Sequence, residues 1–366
     1  MITIVGGGIF GLSIGWYLAR AGRSVTLLER GKVGQGTTQA SAGMVMPWKI
    51  SASFNADLFE LQRASCDRWS DFAAELNAKS DKPFEFRAIG RYFLMLDKKA
   101  LKRVGKQYEF HRQIGFSLDW LSGDELRERE PHASPEIQAA VFSPLSCQVD
   151  NQGLIEALRQ AFLGAGGILR EETSVLELLT NGNQVQGVRL EGETVPTKTV
   201  ILTTGVWLDQ LAGVPSMLHN IIQPIKGQIL TLQMSETEPL IKRQMIGPIY
   251  LVPRHNGRLI VGTTIEEAGF NIQPTAGGMY HILRKAQLIL PSIIDLPILE
   301  IRVGLRPTGP NRLPVMGKTD VDGLFFASGG HSHGVLLSPI VAEAMTELVM
   351  TGTPPPIISP FAIKEK

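Results

Sequence analysis

Three glycines and one acid carry the first chemical reading of this chain. Gly6, Gly8 and Gly11 lie in the run Gly6-Gly7-Gly8-Ile9-Phe10-Gly11, and Glu29 follows Gly11 by 18 residues. Gly6 permits a tight turn, Gly8 lets the backbone approach a pyrophosphate, and Gly11 lets a helix pack closely on a sheet. The N–H groups at the start of that helix, around Ile9 and Phe10, are donors for an anion. Glu29 closes the next apolar run, where its carboxylate can accept hydrogen bonds from the ribose hydroxyls of an adenosine. Glycine-rich turns are common by themselves. Here the apolar run Ile2–Val5 before the turn, the helix after it and the run Val25–Leu28 ahead of the acid all agree on a dinucleotide site.

A second group is small and polar. Thr37, Thr38, Ala42, Gly43 and Met44 sit in the stretch 34–44, which contains no charged residue. Small residues and hydroxyls suit close contact with a pyrophosphate or a ring system. An ordinary flexible loop is the alternative, though such a loop rarely excludes charge for so long. Further along, the apolar run from Thr199 ends at Thr204 and Gly205, consistent with a parallel strand that stops at a ligand crevice.

Composition removes other classes. Acidic and basic residues nearly cancel, 35 against 36, and no basic tract stands out, so charge points to neither nucleic acid nor an anionic membrane. No run reaches the ~18 consecutive apolar residues of a membrane span. A strand predicted from residue 2 leaves no room for a leader, which makes the cytoplasm the expected compartment. Cys66 and Cys147 are far apart and in no CxxC pattern, so no metal site or disulfide framework is expected.

The elements that would position these residues follow from periodicity. A helix is predicted over 54–79, with Phe54, Leu58, Leu61, Ala64 and Trp69 on one face. The pattern turns strand-like at 84–96, then helical at 98–115 and 122–129. Asp150 caps a helix at 151–165. Asn181-Gly182-Asn183 marks a hairpin between 173–179 and 184–190, and 224–264 reads as antiparallel strands with a second hairpin at His255-Asn256-Gly257. A helix at 276–290, strands at 298–304 and 324–328 and a helix at 338–350 complete the chain. Met95, Trp69 and Tyr108 read as core.

Nucleotide-type pieces thus lie at the start, middle and end, with antiparallel material between them. An NAD-dependent protein usually keeps its nucleotide unit in one block, so the discontinuity favours FAD. The predicted fold class is α/β: a Rossmann-like FAD-binding domain, formed by 1–84, 145–215 and 302–366, and an α+β substrate domain with a mixed or antiparallel sheet, formed by 85–144 and 216–301.

Motifs spread over nearly the whole chain then connect it to a family. GTTQASAGM at 36–44, TTGVW at 203–207, PIKGQ at 224–228, YLVPR at 250–254, GRLIVGTT at 257–264, GLRP at 304–307, DGLFFASGG at 322–330 and HGVLLSP at 333–339 occur in order. With the glycine turn, the chain resembles the D-amino acid oxidase superfamily of FAD-dependent amine oxidoreductases, most closely its glycine oxidase branch, which is linked to thiamine biosynthesis. The resemblance implies non-covalent FAD, since no cysteine or histidine stands where relatives attach flavin near GLRP. It adds Arg30, Val175, Thr204, Gly205 and Trp207 to the cofactor contacts, and also the turn Gly330, His331, Ser332, His333 and Gly334 with Val335 and Leu336.

It also implies the site chemistry. Arg306 matches a guanidinium that clamps the substrate carboxylate and borders the flavin, and Tyr250 matches a phenol that reaches the same carboxylate. A surface arginine in a turn is the lesser alternative for Arg306, given its apolar neighbours Val303 and Leu305, whereas Tyr250 without the resemblance reads as a half-buried strand residue. His331 and His333 read either as flavin contacts or acid–base groups, or as residues that only order the turn. The implied reaction moves a hydride from the substrate Cα to flavin N5 and leaves an imine that hydrolyses to keto acid and ammonia, with oxygen or another acceptor regenerating the flavin. Substrates are small amino acids or secondary amines. Two departures border the pocket: Ser332-His333-Gly334 replaces the Arg-Asn-Gly of glycine oxidases, and Arg302-Val303 replaces an aromatic residue. The first is closer to sarcosine and proline oxidoreductases. Lys49 and Lys226 read as solvated or structural rather than as aids to oxygen reduction. A homo-oligomer is implied by relatives only.

Overall fold

The computed structural model describes residues 1–46 and 55–363, so Lys49 and Phe54 lie outside the described residues. Among the described residues, six strands form one sheet in the order Val315–Lys318, Leu324–Ser328, Thr199–Leu202, Ile2–Val5, Val25–Leu28, Ile168–Arg170. All neighbours are parallel except the first pair. Ile2–Val5 and Val25–Leu28 are buried along their whole length because both faces of the sheet are covered. Helices Ile9–Arg20, Asn151–Gly164 and Gly334–Thr351 close one face, and the hairpin sheet built from Val175–Asn181 and Gln184–Leu190 closes the other.

A second, eight-stranded sheet runs Ile298–Thr308, Gln223–Gln233, Arg258–Gly262, Tyr250–Pro253, Gln244–Ile246, Arg91–Met95, Ala139–Ser143, Asp119–Ser122. It is antiparallel except where Gln244–Ile246 meets Arg91–Met95. Helix Ala276–Gln287 packs on Gln223–Gln233, and its Ile282 and Ala286 enter a core with Tyr92, Leu230, Leu251 and Val261. The α/β class with one parallel and one mixed sheet is therefore present. Residue 302, taken above as a boundary, lies inside the continuous strand Ile298–Thr308.

Most element positions follow the pattern. The helix expected over 54–79 spans Ala56–Asn77 with Asn55 as its cap, both hairpins form, and Met95 and Trp69 are core. Tyr108 packs beside a smaller core cluster. The last helix differs: it begins at Gly334, not 338. Pro339 resembles a first-turn proline, yet it sits inside the helix, where it cannot donate to Val335 O. The Ser338 hydroxyl donates to that carbonyl instead, at 2.9 Å. Gly334–Thr351 is long and apolar enough to cross a bilayer, but 61% of it is buried within the molecule. It serves as a core helix against Ile9–Arg20 and Ala56–Asn77.

Candidate active site

The glycine turn separates into distinct jobs. Gly6 has φ +107°, and a Cβ there would stand 2.6 Å from Thr203 O. A Cβ on Gly11 would stand 1.9 Å from Gly6 O, so Gly11 is a packing residue of the helix and does not line the cavity below. Gly8 is open: the nearest atom to its Cβ position is Thr38 Oγ1 at 3.9 Å. Ile9 N–H donates to that same hydroxyl at 3.2 Å. Glu29 does more than face a ribose, because its two oxygens accept from Gly7 N–H at 2.6 Å and Gly31 N–H at 2.9 Å. The acid therefore holds the turn as well as lining the cavity, and each oxygen keeps a second lone pair for a ligand.

The turn opens onto a cavity of about 1070 Å³. Small-molecule pockets usually span about 300–1,000 Å³, so a dinucleotide and a small substrate have room together. Every site residue named above lines it except Gly11 and Gly43. Gly43 has φ +60°, and its Cβ would stand 2.1 Å from Val149 O, so it serves backbone geometry rather than contact. At one end Arg30 lies 3.8 Å over the Trp207 ring, which leans on Phe270 at 4.9 Å. Thr204 and Ser328 line the wall, but their hydroxyl oxygens are buried away from the cavity surface and lack a partner among the described residues.

Two helices aim their N-termini at this space. Ile9–Arg20 starts after Gly8 and Gly334–Thr351 after His333, and neither has a side-chain cap from its own N-cap residue. The other five described α-helices are capped by Asn55, Asp97, Ser122, Asp150 and Thr275. At the first helix Thr38 Oγ1 takes Ile9 N–H, and the remaining first-turn N–H groups of both helices make two anion-binding positions at the cavity. His331 shapes the approach: it has φ +45°, its N–H donates to Pro307 O at 2.9 Å, and Nδ1 lies 2.9 Å from Thr308 Oγ1. It orders the turn and lines the cavity at once. His333 N–H donates to Gly330 O at 2.7 Å.

The far end is made of side chains from the eight-stranded sheet. Arg306 Nη2 donates to Thr263 Oγ1 at 2.8 Å, and its guanidinium also donates to Lys226 O and Thr264 O at 3.3 Å. Tyr250 stands beside it. Burial pushes the Tyr250 phenol up to about 12, against the pull of the Arg306 charge and a hydrogen bond with Thr263. Burial lowers the Arg306 guanidinium, with Tyr250 and Glu266 opposing that shift. The pair is thus a cation and a neutral donor, a set suited to a carboxylate. Met44, Met46, Phe93, Ile246 and Ile249 supply apolar wall. Lys226 is withdrawn from the cavity: it is 1% exposed and its Nζ donates to Gln273 O at 2.6 Å.

Residue patterns missed the seats of this pair. A Cβ on Gly227 would stand 2.3 Å from Arg306 Nη2, and one on Gly262 would stand 2.5 Å from the Tyr250 hydroxyl. A glycine inside a strand signals close approach, and both lie in quoted motifs, so the signal was present. Thr263, which touches both Arg306 and Tyr250, had no such signal. No cluster of acids, histidines and cysteines able to hold a metal occurs among the described residues.

This geometry defines a dinucleotide-binding protein with a carboxylate-sized subsite in the same cavity. Residues 1–348 match the family model DAO, FAD dependent oxidoreductase, and the chain belongs to that family. Glycine oxidase of Bacillus licheniformis is 30% identical over 352 residues, covering 95% of this chain and 92% of that protein. The bifunctional protein ThiO/ThiG of Nostoc sp. is 28% identical over 365 residues, 98% of this chain and 54% of that longer protein. The crystal structure of glycine oxidase from Geobacillus kaustophilus matches with a TM-score of 0.93 at 27% identity, over 100% of this chain and 98% of that one. FAD is the cofactor, and the open Gly8 and the two helix N-termini without N-cap side chains fit it. FAD-dependent amine oxidation is the chemistry these relatives represent.

Proposed function

We propose that this enzyme oxidises a small amino acid, glycine or a D-amino acid, at its Cα–N bond. The observation that carries the reading is the Arg306–Tyr250 pair at one end of a cavity whose other end suits a dinucleotide. Segments 1–84, 145–215 and 302–366 would bind FAD, without a covalent link, and 85–144 with 216–301 would bind substrate.

Arg306 takes the carboxylate through its planar fork, and Tyr250 donates to the same group. Together they orient Cα within the cavity, which is catalysis by proximity. FAD, when bound, supplies the hydride acceptor. The first turn of Gly334–Thr351 presents partial positive charge to the cavity wall and would stabilise negative charge developing there. No dedicated base is needed, because a neutral amine supplies the electron density. The imine product hydrolyses to keto acid and ammonia, with hydrogen peroxide formed where oxygen is the acceptor. A place in thiamine biosynthesis rests on the family likeness alone. The second reading is a dehydrogenase for sarcosine, proline or larger D-amino acids that passes electrons to a non-oxygen acceptor. Ser332-His333-Gly334 at the cavity wall favours it.

Adding glycine, sarcosine, D-alanine and D-proline separately and without oxygen, while following the flavin band near ~450 nm, tests both readings. Bleaching by one of them, reversed by air with peroxide, supports the oxidase. Bleaching reversed only by a dye or quinone supports the dehydrogenase. No bleaching by any rejects small amino acids as substrates.

A further inference from the structure

The loop 36–44 touches the cavity on one side and is gripped from the other. Thr37, Thr38, Ala40, Ser41 and Ala42 line the cavity, whereas Asn151, Arg254 and Arg302 do not. Those three side chains come from the start of a helix, from strand Ile298–Thr308 and from the residue just after strand Tyr250–Pro253, and each donates to a loop carbonyl. Asn151 Nδ2 donates to Thr38 O at 3.1 Å and to Ser41 O at 2.6 Å. Arg254 Nη2 donates to Ala42 O at 2.8 Å, and Arg302 Nη1 donates to Gln39 O at 3.0 Å. Asn151 and Arg254 are 4% and 5% exposed. Two glycines let the surfaces close: a Cβ on Gly43 would stand 3.0 Å from Arg254 Nη2, and one on Gly304 would stand 2.6 Å from the Ala40 Cβ.

A loop with four carbonyls held behind it has little freedom left in the peptides that face the cavity. Thr38 is one of the held residues, and its hydroxyl accepts from Ile9 N–H, so the grip also reaches the first helix turn. Burying a guanidinium with Nε and Nη1 lacking partners among the described residues is costly, and an apolar side chain would fill the space more cheaply. What an apolar residue could not do is hold Ala42 O.

We propose that Arg254, together with Asn151 and Arg302, is a positioning residue that presets the 38–42 backbone for FAD, acting from behind the loop and touching neither substrate nor cofactor. Binding to a preset loop avoids the ordering cost of a free one.

The test uses the full chain with FAD removed and restored. Relative to wild type, Arg254→Met and Asn151→Ala should each speed amide hydrogen exchange across 38–42 in the apoprotein, and weaken FAD binding by about tenfold or more, the scale of a charge-assisted or buried hydrogen bond. The double variant should lose less than the product of the single losses, since both grip one loop. Arg254→Lys, which keeps a donor and the charge, should recover most of the affinity. Unchanged exchange and FAD affinity, with only a lower Tm, would overturn the proposal. So would normal FAD affinity with a raised KM for whichever amine bleaches the flavin, because Arg254 would then be a substrate ligand. Exchange and FAD titration need no turnover, so failure of the amine-oxidation reading leaves this test intact.

Discussion

The two ends of the cavity are built from different materials. The nucleotide end is built from backbone: an open glycine, two helix N-termini without N-cap side chains, and an acid that braces the turn through Gly7 and Gly31. At the amine end they are side chains: Arg306 from one strand and Tyr250 from another, seated on Gly227 and Gly262 from two more. Dipoles and N–H groups suit an anion that must be held through many variations of side chain. A small carboxylate needs a planar, charged fork at a defined angle. The halves should therefore fail separately, one by losing FAD and the other by losing substrate.

Gly11→Val tests the first half hardest. Its branched side chain has no room against Gly6 O, so flavin content per protein should fall to near zero or the chain should not fold. A normal yellow protein would contradict the packing role. Arg306→Ala should come next, lowering kcat/KM by about 100- to 1,000-fold, the scale of a desolvated charge pair, with FAD still bound. Steady-state kinetics beside a flavin absorbance spectrum separates the two effects. If substrate affinity were unchanged, the carboxylate clamp would be wrong.

Glu29→Ala should weaken FAD by about tenfold or more, since a carboxylate accepting two backbone N–H groups is lost, while KM for the amine stays near wild type. Equilibrium titration of apoprotein with FAD measures it. Tyr250→Phe should cost about tenfold in kcat/KM. The smallest signature is in pH. With the phenol raised to about 12, Tyr250 remains a neutral donor below that value and its hydrogen bond is lost only as pH rises through it. The kcat/KM profile should therefore show no falling limb from this group below about pH 11. A limb at lower pH that disappears in Tyr250→Phe would refute the burial.

Helices and hairpins were legible where their signals are local. Asp150 capping and Asn181-Gly182-Asn183 gave their elements directly. The last helix starts four residues earlier than its pattern indicated, with Pro339 inside it, and only the Ser338 bond to Val335 O shows how a proline is tolerated there. Residue patterns alone left Tyr250 as a half-buried strand residue, and family likeness was needed to bring it to the site. Glu29 was visible, but its bracing of Gly7 was not, because two backbone N–H groups meet it only when the turn folds over the strand end.

By itself the sequence determined the dinucleotide turn. The need for positive φ at Gly6 and for open approach at Gly8 is a property of a few consecutive residues. It also determined which runs alternate or repeat, and so the α/β class. Tertiary structure decided that Arg306 and Tyr250 share Thr263, that Lys226 turns away from the cavity, and that Arg254 reaches Ala42. Those pairings depend on strand register across long stretches of chain, and a slip of one residue would send each side chain to the opposite face.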